Sequence, residues 1–171
     1  RDLHSFPTRR SSDLVVRSLL EDRQQKVWIA TEDQGLLCYD GKNIKGYFQS
    51  DDMRSMVLDV CEGPDHRIYV ATSNAGMFRL DGETPVHIDG TGTRHISVLY
   101  SNRRGHIMLG CDGTGLVIYN PENGNVVDNP YYSRDVDLST AKVYSICEDE
   151  SGNVWLGLLQ KGVYMQPSTT M

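Results

Sequence analysis

The sequence predicts an all-β chain, a partial β-propeller of about four blades, each an antiparallel four-stranded sheet. Three observations predict it. A large residue recurs at Trp28, Tyr69, Met108 and Trp155, at intervals of 41, 39 and 47 residues. Two positions on, each copy has a small residue (Ala30, Ala71, Gly110, Gly157), and seven positions on each has glycine (Gly35, Gly76, Gly115, Gly162). Apolar residues near these positions alternate with period two, and no window shows the 3.6-residue spacing of a helix. Short strands with aromatic and glycine punctuation, at about 40 residues per unit, fit propeller blades and exclude helical solenoids.

The units read alike from first strand to last. First strands at Val16–Glu21, Val57–Glu62, Ile96–Tyr100 and Val143–Glu148 are β-prone and apolar on both faces, which predicts burial on both sides. A polar turn, such as Gly63–Arg67 or Asp149–Asn153, leads into second strands at Val27–Thr31, Ile68–Thr72, Ile107–Cys111 and Val154–Leu158. One face of these carries Val27/Ile29, Ile68/Val70, Ile107/Leu109 and Val154/Leu156. The other sets a large residue beside a small one, as with Trp155 and Gly157, which suits sheets packed face to face. The in-register glycine ends the next turn, where it takes positive φ cheaply. Third strands follow at Leu36–Tyr39, Met77–Leu80, Leu116–Tyr119 and Val163–Met165, and weaker fourth strands at Ile44–Phe48, Val86–Ile88 and Asn125–Val127. The segment Pro121–Lys142, rich in Asn, Asp, Pro and Ser, is expected to be a surface loop.

These elements place the blades at about 15–50, 55–90, 95–127 and 142–171. Propellers close with about 4–8 blades. The last unit lacks a clear fourth strand, so the expectation is an open arc of a larger propeller, with a self-contained four-bladed ring as the alternative. Uncovered sheet faces would make Val15–Met171 prone to aggregate on its own.

Composition narrows the function classes. The 171 residues are 39% hydrophobic and 23% charged, as in ordinary globular proteins. A net charge of -6 argues against nucleic-acid binding, and the chain offers neither a polybasic lipid anchor nor an apolar run long enough to span a bilayer. Cys38, Cys61, Cys111 and Cys147 contain no CxxC pair and read as buried free thiols. The histidines His66, His87, His95 and His106 share no spacing, so no metal and no cofactor is expected. No nucleophile elbow or P-loop occurs. Paired carboxylates such as Glu21/Asp22 and Glu148/Asp149 recur at equivalent turns, where Asp binds its own backbone, so catalytic residues are not expected.

Residues Arg1–Leu14 stand outside the repeat. They lack the apolar core of a signal peptide, and HSFPTRRSSDL resembles the in-frame translation of a sequencing-library adapter. Residues 1–14 are therefore set apart from a propeller region at 15–171.

The pattern Val143-x-Ser145-Ile146-x-Glu148-Asp149-x-x-Gly152-x-Val154-Trp155-Leu156-Gly157, followed by Gly162-Val163, resembles the two-component regulator propeller repeat. So does Val16-x-Ser18-Leu19-x-Glu21-Asp22 leading to Val27-Trp28-Ile29-Ala30-Thr31 and Gly35-Leu36. Units two and three depart from it: Gly63 and Asn102 replace the turn aspartate, and Tyr69 and Met108 the tryptophan. Leu158 stands where the family has threonine. The resemblance implies a non-catalytic, periplasmic sensor segment of a hybrid two-component histidine kinase, responding to a glycan-derived cue and regulating transcription. It implies an oligosaccharide ligand, further propeller blades and downstream signalling domains as partners, and is compatible with a homodimer. Alternatives are a scaffold for protein partners, or part of a glycan-active hydrolase or lyase propeller.

A ligand would bind over the loops on one face of the ring. These include the turns between second and third strands, with Glu32, Asp33 and Gln34, Ser73 and Asn74, Asp112 and Thr114, and Gln160 and Lys161. Tyr131 and Tyr132 supply aromatics suited to stacking on sugars. Among these turns Leu159–Lys161 departs from its counterparts, which marks it as the first place to look.

Overall fold

The computed structural model describes residues 14–49, 56–131 and 134–168. These form four antiparallel sheets in chain order. The first comprises β1 (Val16–Glu21), β2 (Val27–Thr31), β3 (Leu36–Tyr39) and β4 (Ile44–Tyr47). The second comprises β5 (Val57–Glu62), β6 (Ile68–Thr72), β7 (Met77–Asp81) and β8 (Thr84–His87). The third comprises β9 (Ile96–Ser101), β10 (Ile107–Cys111), β11 (Gly115–Tyr119) and β12 (Val126–Asp128). The fourth comprises β13 (Val143–Glu148), β14 (Val154–Leu158) and β15 (Gly162–Gln166), three strands among the described residues. Each sheet is a simple meander, so short turns fix the register and the alternation of each strand decides what faces each neighbour.

Successive sheets stack, and their first strands lie side by side, β1 with β5, β5 with β9 and β9 with β13. Three joints result, all built to one plan. The large-and-small face of one sheet meets the aliphatic face of the next. Trp28, Ala30 and Leu36 pack on Val60, Ile68 and Val70. Tyr69, Ala71 and Met77 pack on Leu99, Ile107 and Leu109. Met108 and Leu116 pack on Ile146, Val154 and Leu156. Aromatic pairs cross the first two joints, Phe48 with Phe78 at 5.1 Å between centroids and Tyr69 with Tyr119 at 5.9 Å. No packing of similar extent joins β1 to β13 among the described residues.

The plan explains why burial differs from the sequence expectation at the two ends. β5 is buried or half-buried throughout, but β1 is half-buried at most and β13 is exposed at Tyr144, Ser145 and Cys147. An apolar first strand is covered on both sides only when it has a blade on both sides. For the same reason Cys147 is exposed while Cys38, Cys61 and Cys111 are buried.

The acidic turns are structural. Asp22 Oδ1 accepts the N–H groups of Gln24 (2.9 Å) and Lys26 (3.0 Å), and its Oδ2 accepts the Trp28 indole N–H at 2.8 Å. Asp149 does the same for Ser151, Asn153 and Trp155. The departures in the middle blades are matched pairs. A Cβ at Gly63 would stand 2.5 Å from the Tyr69 ring, and the missing carboxylate is supplied by Asp65, whose Oδ2 accepts the Tyr69 hydroxyl at 2.8 Å. Asn102 still accepts the Arg104 and His106 N–H groups, and the Met108 side chain has no N–H to require a second oxygen.

A second device latches blade to blade. The Arg23 N–H, just after the turn aspartate, donates to Glu62 at the end of the next blade's first strand (2.9 Å), and the Arg103 N–H donates likewise to Glu148 (2.9 Å). In the joint between them the donor position is Pro64, which has no N–H, and the acceptor position is Ser101.

Candidate functional site

Strand direction puts the turns between second and third strands on the same end of the sheets as the connections between blades. Four equivalent hydrogen bonds organise that end. The N–H groups of Glu32, Ser73, Asp112 and Leu159 donate to the carbonyls of Val15, Met56, His95 and Lys142 at 3.0, 2.9, 2.9 and 2.9 Å. Each first strand is also bulged one residue in, at Arg17, Leu58, Ser97 and Tyr144. The bulges release Arg17 and Tyr144 from the alternation of their strands and let them meet the turn residues.

Two polar groups result. In the first blade Arg17 forms an ion pair with Glu32 at 2.8 Å. Across the third and fourth blades Asp112 accepts from Lys142 (3.1 Å) and from the Tyr144 hydroxyl (3.1 Å). Desolvation pushes the Asp112 carboxyl up, but the bonds from Lys142 and Tyr144 outweigh it and leave it below the ordinary aspartate range. Asp112 in turn raises Lys142. Burial, then the bond to Asp112, raises the Tyr144 phenol. The arrangement offers a carboxylate with fixed donors, an ammonium and a phenol at an accessible rim, and exposed Met56 and Leu159 complete the ring with apolar contact. It can hydrogen-bond and stack against a polar ligand.

The residues expected to bind ligand separate into groups. Glu32 and Asp112 belong to these polar groups. Asp33 and Gln34 are exposed on their turn, which Thr31 braces by accepting the Gln34 N–H at 2.9 Å. Ser73 is half-buried and Asn74 exposed, with Thr72 bracing that turn in the same way. Thr114 is exposed and lines a shallow hollow with His87, Arg94 and His95. Gln160, at φ +60°, and Lys161 are exposed; the hydroxyl brace is missing there because Leu158 is turned into the core of the third joint. Tyr131 is not brought to the ring. It packs on that same core and lines a separate hollow with Asn102, Glu148 and Gly152, at the ends where first strands turn into second strands. Tyr132 lies outside the described residues, as do residues 1–13 of the segment set apart and residues 50–55 between the first two blades. Sequence reasoning missed Arg17, Lys142 and Tyr144. The available signal was the one-residue excess in each first strand, which aligning the repeats by their second strands leaves hidden.

No group of three or more His, Cys, Asp or Glu side chains suited to a metal occurs among the described residues. No described helix is long and apolar enough to cross a membrane.

Two segments, residues 11–33 and 137–159, match the family model of the two component regulator propeller. The first match begins inside the segment set apart by sequence. No curated protein sequence matches the chain. Among solved structures, the extracellular domains of two hybrid two component systems from B. thetaiotaomicron superpose with TM-scores of 0.70 each, at 16% and 17% identity. The alignments cover 90% and 91% of this chain but 20% and 22% of those proteins, so the chain spans about a fifth of their length. Virginiamycin B lyase from Staphylococcus aureus superposes at 0.67 with 12% identity, covering 91% of this chain and 56% of that one. Likeness at this level of identity establishes the propeller fold and nothing finer.

Proposed function

We propose, for a chain that carries the two-component regulator propeller repeat in its first and last blades, that it is part of the extracytoplasmic sensor of a two-component receptor. The match of those two blades is the observation that carries this reading. In it, the chain has no catalytic step of its own. A cue occupies the ring end, and binding shifts the population of sensor arrangements that a kinase elsewhere in the receptor reads. The Asp112–Lys142–Tyr144 group, with a fixed acceptor, a cation and an aromatic hydroxyl, suits the hydroxyls of a glycan fragment, and the receptor's output is then transcription.

The test is calorimetric titration of this chain with a panel of mono- and oligosaccharides. At least one sugar is expected to bind, and Lys142→Ala to weaken it by about tenfold, the worth of one hydrogen bond to a charged group. Lys142 is half exposed, so its loss leaves the fold intact. Absence of binding across the panel by the folded chain defeats the glycan reading, and binding unaffected by Lys142→Ala defeats this site.

A further inference from the structure

The connection between the second and third blades, Ile88–His95, is clamped by its own side chains. Thr91 is fully buried; its hydroxyl donates to the Ile88 carbonyl at 2.7 Å and accepts the Met77 N–H at 3.1 Å. Arg94 donates from Nη1 to the Gly90 carbonyl (2.6 Å) and from Nη2 to Asp128 in β12 (2.8 Å), which ties the loop to the third blade. His87 meets the Gly92 carbonyl at 3.1 Å through Nε2, which therefore carries the proton, and its ring stands edge-on to Phe78 at 5.2 Å between centroids. The carbonyls of Ile88, Gly90 and Gly92 are thus spent inside the loop. The N–H groups of Gly92 and Thr93 and the Thr93 hydroxyl have no partner among the described residues.

These donors border the hollow that Thr114 lines, whose volume of about 600 Å³ lies in the range of small-molecule sites, about 300–1,000 Å³. Its walls come from the second and third blades, each of which has its four strands. Asp89, exposed on the same loop, adds a carboxylate acceptor, and His87 and His95 add ring faces. Arg94 is matched by Asp128, so the lining favours no anion. Fixed donors beside a carboxylate suit neighbouring hydroxyls, one accepting an N–H and the next giving its proton to Asp89. The hollow adjoins the Asp112 group, since the Asp112 N–H donates to the His95 carbonyl at 2.9 Å and Asp112 and Thr114 share one turn.

We propose that this hollow is a second subsite of the ring end, taking an uncharged sugar unit of an oligosaccharide whose other unit sits at Asp112, Lys142 and Tyr144. The proposal rests on the glycan reading above and adds to it a place, a minimum length and a charge for the cue. Because the loop is held before ligand arrives, the second unit adds its hydrogen bonds with little ordering cost.

The experiment is calorimetric titration of the chain with glucose, cellobiose and cellotriose, with the matching xylose and mannose series, and with galacturonic and digalacturonic acid. In at least one neutral series the disaccharide is expected to bind tenfold or more tighter than the monosaccharide. Asp89→Ala, at an exposed position, is expected to keep the wild-type circular dichroism and to remove about tenfold of disaccharide affinity while the monosaccharide binds as before. In amide NMR spectra Gly92 and Thr93 are expected to shift with the disaccharide. Equal affinity along every neutral series overturns the subsite and leaves the sensor reading standing. So does a loss in Asp89→Ala that is the same for both lengths, or Gly92 and Thr93 signals that stay still on saturation. Digalacturonate binding more tightly than every neutral sugar overturns the uncharged assignment. No binding by any of these sugars overturns the subsite, and none across the wider panel overturns the glycan reading as well.

Discussion

Trp28 and Trp155 occupy the same place in two copies of one repeat, each donate to the Oδ2 of their own turn aspartate at 2.8 Å, and differ in what lies beyond them. Trp28 is covered by a neighbouring blade, and Trp155 faces solvent. Gly115 and Gly162 differ in the same way. Both have positive φ, at +73° and +78°. A Cβ on Gly115 would collide with the Leu138 carbonyl in the connection to the next blade, whereas a Cβ on Gly162 would meet nothing within 4 Å. Local geometry is thus set inside the blade, while the energetic weight of a residue is set by the joint.

Substitutions made in pairs sharpen this contrast. The largest effect is expected at the tryptophans. Trp28→Ala should cost about 3–5 kcal/mol, as for other buried aromatic truncations. Trp155→Ala should cost about 1 kcal/mol, chiefly its hydrogen bond. Urea melts of the two variants compare them directly, and equal losses would show that the joint contributes nothing to the difference. Next come the glycines. Gly162→Ala bears only the left-handed backbone cost of about 1–2 kcal/mol, and Gly115→Ala adds about 1–3 kcal/mol for overpacking against backbone that cannot yield. Thermal melts that rank Gly162→Ala as the worse variant would break the comparison.

The smallest effect is a pH dependence. The hydrogen bond from Trp155, followed by those from Asn153 and Ser151, lowers the Asp149 carboxyl from 3.8 to about 2. A carboxyl depressed on folding contributes stability that is fully present above its unfolded value and is lost as pH falls through the folded one. The contribution of Asp149 is therefore intact above about pH 4 and disappears toward pH 2. In a Trp28→Phe background the fluorescence of Trp155 reports this step. Asp149→Asn should abolish it, and a step that persists in that variant would assign it to another group.

The sequence made the strands legible because alternation and turn residues are local signals. The second strands were read to the residue, and the four in-register glycines all have positive φ, from +66° to +78°. Burial at the chain's two ends was not legible, because the apolar pattern of β1 and β13 records an adjacency that the described residues lack. The latch was hidden differently. Pro64 and Ser101 look like unrelated exceptions until the donor of one blade is aligned with the acceptor of the next. At the ring end Glu32 and Asp112 were found because they sit on turns. Their partners Arg17, Lys142 and Tyr144 were not, because bulges aim Arg17 and Tyr144 and a connection between blades carries Lys142.

The exchange of Asp and Trp for Gly63, Asp65 and Tyr69 has a consequence for how such repeats drift. What passes from copy to copy is a coupling, a carboxylate set to receive a ring's polar atom, and not either residue alone. A carboxylate that moves two positions along the turn while the ring shrinks leaves the bond intact, yet counts as two losses wherever positions are scored singly. The two segments that match the family model are those of the blades that keep aspartate and tryptophan together. The second blade has changed its spelling and kept the bond.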